Sequence, residues 1–232
     1  MAPKASQTFR RVKNPNGACV STVSRTLIEQ DGLTFKDIDG SGVVSAVNDW
    51  RLPAAERAKA YAKTLTIHEK IAQLFVADWR MAKYPGAGPN APKIENPVYD
   101  ETGVLDETEC DAETIFGKQH LIGTTQMLKE NFYRHVILRA NATPTDLADW
   151  INQVNAVCEE CDHFIPMSAT SNSRNENGEL VYGMNDAFGV LATWPGTLGI
   201  AAAVKGTGRI DIIDKFADTI RREWNACGMR KG

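Results

Sequence analysis

"HVILRANATPTDLADWINQVNAVCEECDHFIPMSATSNSRNENG", residues His135–Gly178, decides the fold class. Its opening "HVILRANA" is a short apolar, β-branched run that predicts a buried strand. Thr143-Pro144 then supplies a helix cap and first turn. Leu147, Ile151, Val154 and Cys158 follow at helical spacing. A second apolar run, "HFIPMSATSNSRNENG", ends in polar residues. Strand, helix, strand in that order favours a parallel α/β architecture, whose functional groups stand on loops at the carboxyl ends of strands. The polar end of the second run is therefore the place to look for a site.

Upstream, "LPAAERAKAYAKTLTIHEKIAQLF" begins with Pro53, suited to a first helical turn, and continues to Thr66 and Glu69. That pair forms an S/T-x-x-E capping box ahead of Ile71, Leu74 and Phe75, so two consecutive helices are expected. From Tyr84 to Thr114 the chain is rich in Pro, Gly, Asn and acids without apolar period, which predicts a long loop or insertion. Residues 1–34 are mixed and poorly patterned. Downstream, Ile213, Phe216, Ala217, Ile220 and Trp224 lie at helical spacing, and Gly228 can close that helix in the left-handed conformation. Only "MRKG" follows, where a βα repeat would begin its next strand, so the pattern reads as interrupted.

With 43% hydrophobic residues among 232, the chain can bury a core as one or two globular domains. Its net charge of −3 has no basic block behind it and offers nucleic acid no footprint. No apolar run approaches the ~20 residues a membrane-spanning helix needs, so a membrane is not an expected partner either. "MAPKASQTFRRVKNPNG" at the start is basic but lacks the apolar segment of a secretory leader, which predicts a cytoplasmic protein. The five cysteines are odd in number and scattered, against a disulfide framework. Cys158 and Cys161 form a C-x-x-C inside the helical pattern. With no second pair at zinc-ligand spacing, they read as helix residues rather than as a redox or metal site.

"FKDIDGSGVVSAVNDWR", residues Phe35–Arg51, starts like a calcium-binding loop. Oxygen ligands of an EF-type loop come from positions 1, 3, 5, 7, 9 and 12, with Gly at 6. Those positions fall on Asp37, Asp39, Ser41, Val43, Ser45 and Asn48, with Gly42 at the turn. At position 12 a Glu normally grips the ion through two oxygens; Asn48 offers one carbonyl oxygen and no charge. The flanks lack EF-hand helices. The loop is thus either a structural turn entering the following helix or a calcium site of low charge, and calcium is the one cofactor the sequence suggests.

Five stretches together resemble the N-terminal barrel domain of glycoside hydrolase family 3. They are "FKDIDGSGVVSAVNDWRLPAAERAKAYAKTLTIHEKIAQL", "RHVILRANATPTDLADWINQVNAVCEE", "FIPMSATSNSRNENG", "TWPGTLGIAAA" and "FADTIRREWNACGMR", in the family's order. The resemblance implies an N-terminal extension over 1–34 and, over 35–232, the first portion of a TIM-type (β/α)8 barrel. It implies a β-glucosidase-like enzyme that removes non-reducing-end sugars with retention. That reaction uses a carboxylate nucleophile and an acid/base carboxyl roughly 5 Å apart. In the family both lie later in the chain, so this segment is expected to be inactive alone and to need the rest of the enzyme or a partner segment. Asn172 stands where many members place an Asp that binds hydroxyls of the terminal sugar; an amide can donate and accept there but brings no charge. Arg174 and Asn175 match the residues that follow, which brace the loop or contact substrate. Trp194 reads as a core residue rather than a sugar platform, and His135 as structural rather than as an acid/base. The alternative function is a non-catalytic module, either calcium-stabilised or sugar-binding.

Overall fold

A computed structural model of the chain describes residues 8–15, 17–79, 93–95, 110–114, 117–138, 142–171, 191–228 and 230–231. Two antiparallel hairpins come first, β1 (Arg10–Lys13) with β2 (Cys19–Thr22) and β3 (Leu27–Gln30) with β4 (Leu33–Lys36). The expectation of an irregular extension over 1–34 gives way to these hairpins, and the second one runs past that boundary to Lys36. Asp31-Gly32 turns it, with φ of 52° and 74°. Two positive φ values are what a two-residue hairpin turn of matching twist requires, and Asp-Gly provides them at low cost.

Two consecutive helices follow as expected, α1 (Ala54–Thr64) and α2 (Ile67–Ala72); Pro53 stands at the N-cap just ahead of α1 rather than in its first turn, and α2 starts at its predicted cap. Thr66 Oγ1 accepts from the Glu69 amide at 3.2 Å, and Glu69 Oε2 accepts from the Thr66 amide at 2.7 Å. Glu69 Oε1 also meets His163 Nδ1 at 2.8 Å, tying α2 to the segment after the long central helix. Thr66→Ala removes one side of this reciprocal cap and should cost about 1 kcal/mol in urea unfolding. No measurable change would show that the cap is redundant with the His163 contact.

The central layer is a parallel sheet with spatial order β11-β10-β9-β5. Its strands are β5 (Val76–Trp79), β9 (His135–Leu138), β10 (Ser168–Ser171) and β11 (Arg230–Lys231). Each new strand joins beside the previous one. Helix α3 (Thr124–Lys129) precedes β9, α4 (Pro144–Glu159) links β9 to β10, and α5 (Thr197–Thr207) and α6 (Asp211–Ala226) link β10 to β11. Thr143 caps α4 by accepting from the Asp146 amide, as Thr143-Pro144 predicts.

One core joins these elements. Trp79, Val136, Leu138 and Ala169 pack with Leu128 of α3, with Leu147, Trp150, Ile151, Val154, Val157 and Cys158 of α4, and with Ile220 and Trp224 of α6. Strand residues alternate faces, so the helices share one side of the sheet. The opposite side carries Val76, Asp78, His135, Ile137, Ser168 and Thr170, and Val76 is 61% exposed.

Strands β6 (Lys93–Glu95), β7 (Cys110–Thr114) and β8 (Gly117–Leu121) form a separate antiparallel sheet. The elementless loop expected from Tyr84 to Thr114 is corrected at 93–95 and 110–114. "KIE", "CDAET" and "GKQHL" carry no apolar alternation, and ladder bonds between backbones hold them.

The hairpins are fastened to the end of α4 by Glu159, which is only 3% exposed. Its Oε2 accepts from Thr22 Oγ1 at 2.9 Å, from the Val23 and Ser24 amides at 2.8 Å each and from the Arg25 amide at 3.3 Å. Its Oε1 pairs with Lys36 Nζ. Arg25 adds a second tie by donating to the backbone carbonyls of Cys161 and Asp162.

Candidate functional site

The structure brings five of the six residues of the calcium-like loop to one point, and Ser45 joins them one bond further out through Asp39 Oδ2. Asp37 is 6% and Asn48 1% exposed, so the point is interior. The atom at its centre is Nδ2 of Asn48. It lies 2.8 Å from Asp39 Oδ1, 2.9 Å from the Val43 carbonyl oxygen, and 3.3 Å from both Asp37 Oδ1 and Ser41 Oγ. Asn48 Oδ1 faces the other way and accepts from the Ile38 amide at 2.8 Å. Ser45 Oγ donates to Asp39 Oδ2 at 2.6 Å and accepts from the Val47 and Asn48 amides, so it caps the chain as it turns toward α1. Gly42 donates its amide to Asp37 Oδ2, and its φ of 71° explains why glycine stands at the sharp bend.

Electrostatics agree with a closed network. Partial burial pushes the Asp39 carboxyl up, but hydrogen bonds from Ser45, Ser41 and Asn48 outweigh it and hold the group at about 2. The loop leaves through Trp50, whose ring stacks on Phe35 at 5.4 Å and whose Nε1 donates to the Thr34 carbonyl. It is thereby locked onto the second hairpin. Which face of the Asn48 amide turns inward is decided by the Ile38 amide, and no spacing rule carries that.

The sugar-contacting candidates Asn172, Arg174 and Asn175 lie outside the described residues. The strand that leads to them is described. Register pairs Trp79 with Leu138 and Leu138 with Ser171, so β5, β9 and β10 end level with one another. Asn172 is the next residue after Ser171. The carboxyl ends of three parallel strands thus share one edge, the edge at which α/β proteins assemble sites.

His135 begins β9, half-buried and paired in register with Val76 and Ser168. Trp194 is half-buried and packs edge-on at 5.4 Å against Phe216 of α6, which itself lies at the margin of the core. Cys158 is fully buried in α4, and desolvation pushes its thiol up to about 12, far from a reactive thiolate. Cys161 Sγ lies 3.3 Å from Arg134 Nη2. Arg134, itself fully buried, donates to the Leu128 and Tyr133 carbonyls and stacks on Phe132. Among the described residues, no cluster of His, Cys, Asp and Glu has a metal-holding arrangement.

No family model matches the chain. Among curated proteins, it is similar to a periplasmic beta-glucosidase/beta-xylosidase of Dickeya chrysanthemi, with 28% identity over 229 residues. The similarity runs along 98% of this chain but spans only 29% of that relative's length. The match, nearly end to end here, points to a glycosidase relationship for this segment.

Proposed function

We propose that this chain supplies the opening part of a glycoside hydrolase that cleaves O-glycosyl bonds at non-reducing ends, β-glucosidase-like and retaining. The single observation carrying that reading is the collinear similarity to the beta-glucosidase/beta-xylosidase along 98% of the chain. The fold is compatible with it. Parallel strands added one after another, with their helices on one face, are what the wall of a (β/α)8 barrel of family 3 type would present. The other face of the sheet and the β5 side carry exposed Ile71, Leu74, Phe75 and Val76, which further strands and helices of a barrel would cover.

In this reading Asn172 exchanges hydrogen bonds with sugar hydroxyls, and Arg174 and Asn175 brace or extend that contact. The two carboxyls of the retaining reaction come from a segment this chain does not carry. One attacks the anomeric carbon to form a glycosyl-enzyme ester while the other protonates the leaving oxygen, and the second then deprotonates the water that hydrolyses the ester.

The test uses the protein as its source cells make it, captured with an antibody against residues 8–79 and assayed on an aryl β-glucoside and an aryl β-xyloside. Hydrolysis of at least one is the expected result; no turnover of either would overturn the assignment. The purified 232-residue chain should be inactive on both. Turnover by that chain alone would overturn the placement of the carboxyls elsewhere.

A further inference from the structure

We propose that the side-chain amide of Asn48 is the built-in substitute for a metal ion in the Asp37–Asn48 loop, so that this loop closes without calcium. The inference does not rest on the glycosidase reading.

The oxygens that an EF-type loop contributes from positions 1, 3, 5 and 7 are here Asp37 Oδ1, Asp39 Oδ1, Ser41 Oγ and the Val43 carbonyl. All four lie within 3.3 Å of one atom, Asn48 Nδ2. A point that gathers that ligand set is the ion's place. An amide nitrogen has two hydrogens, and the two short contacts, to Asp39 at 2.8 Å and Val43 at 2.9 Å, take them. The two at 3.3 Å gain from the positive end of the amide dipole. In a calcium loop, residue 12 reaches the same centre with carboxylate oxygens. Here it arrives with N–H groups, which repel a cation.

Turning the amide over does not restore a site. Its nitrogen would then face the Ile38 amide, donor against donor, in a position only 1% exposed, and the loss of that bond would leave a buried group unsatisfied. The remaining oxygens are also engaged: Asp37 Oδ2 by the Gly42 amide and Asp39 Oδ2 by Ser45. Calcium takes oxygen ligands at about 2.3–2.6 Å and wants six or more of them. The residues as arranged do not fit a resident ion, because the amide stands where it would sit.

Position 48 therefore decides between two ways of closing the same cage. A carboxylate there loses the donors, sets three carboxylates around one point and completes the ligand set of a calcium loop. The experiment compares the full chain with Asn48→Glu, Asn48→Asp and Asn48→Ala by thermal unfolding in millimolar calcium and in chelator, with calcium titration by calorimetry. The wild-type chain should unfold at the same temperature in both buffers and release no binding heat. Asn48→Ala should unfold earlier in both buffers alike. Asn48→Glu and Asn48→Asp should unfold earlier than wild type in chelator and recover in calcium, with one ion bound per chain. A carboxylate variant that folds only with calcium counts as that recovery. A wild-type chain stabilised by calcium would overturn the proposal. So would acidic variants that behave identically, or fail to fold identically, with and without calcium.

Discussion

Glu159→Ala should lower the stability of the chain by ~3–5 kcal/mol, the range for removing one partner of a buried charge pair. The loss comes from what is left behind. The Val23 and Ser24 amides lose their acceptor at a part-buried contact, where an unpaired group carries a desolvation penalty, while the Thr22 hydroxyl falls back on the Arg25 carbonyl at 3.0 Å. Lys36 loses its counter-charge as well. Burial already pushes the Lys36 ammonium below its ordinary pKa, against the pull of Glu159. Glu159→Gln keeps an acceptor and should cost less. The readout is urea unfolding together with amide exchange over residues 10–36, which should become fast while α4 stays protected. A loss below about 1 kcal/mol would show that Arg25 and the Phe164 ring, 3.8 Å from Lys36 Nζ, carry the hairpins instead.

The same carboxylate sets an acid limb. Burial raises the Glu159 pKa, but donation from Lys36, Ser24 and Val23 more than reverses this, leaving it below its ordinary value. A depressed carboxyl stabilises the fold above its unfolded value, about 4.3 for Glu, and that contribution disappears as pH falls through the folded value. The wild-type chain should therefore lose more stability on acidification below about pH 4 than Glu159→Gln does.

Trp150→Ala should cost ~3–5 kcal/mol, while Trp150→Phe should cost roughly less than half as much. Trp150 is completely buried on α4, its ring edge-on to Trp79 of β5 at 6.1 Å. Alanine opens a cavity between the helix layer and the sheet. Phenylalanine keeps most of the packing and also deletes an indole N–H that has no hydrogen-bond partner among the described residues. Removing an unsatisfied buried donor returns part of what the smaller ring loses. Paired denaturation curves check the asymmetry. Equal losses for the two variants would mean that the N–H is satisfied and the indole is held by it.

What was legible in the sequence follows from how local each signal is. Thr143-Pro144 before an apolar helical period, and Thr66 three residues ahead of Glu69, are complete instructions within one turn, and α4 and α2 begin where they say. β5 was hidden because Ile71, Leu74 and Phe75 continue a helical rhythm past Ala72, where α2 stops. The N-terminal hairpins were hidden because four-residue strands give too few alternations to count. Their strongest signal was Asp31-Gly32, a turn dipeptide that patterning of apolar residues overlooks. At the loop, the spacing of Asp37, Asp39 and Ser41 marks side chains that the fold gathers around Asn48 Nδ2. What fills the cage is set by a backbone donor at Ile38, and pattern matching treats that residue as filler.

The Glu159 anchor also imposes a schedule. Val23 and Glu159 are separated by 136 positions along the chain. At synthesis rates of roughly 5–20 residues per second, the hairpins emerge on the order of ten seconds before their carboxylate exists. During that interval the Val23 and Ser24 amides lack that acceptor, and the two short hairpins have no sheet or helix layer to lean on. Their docking is thus a late event in the birth of the protein, timed by the completion of a helix that lies far away in the message.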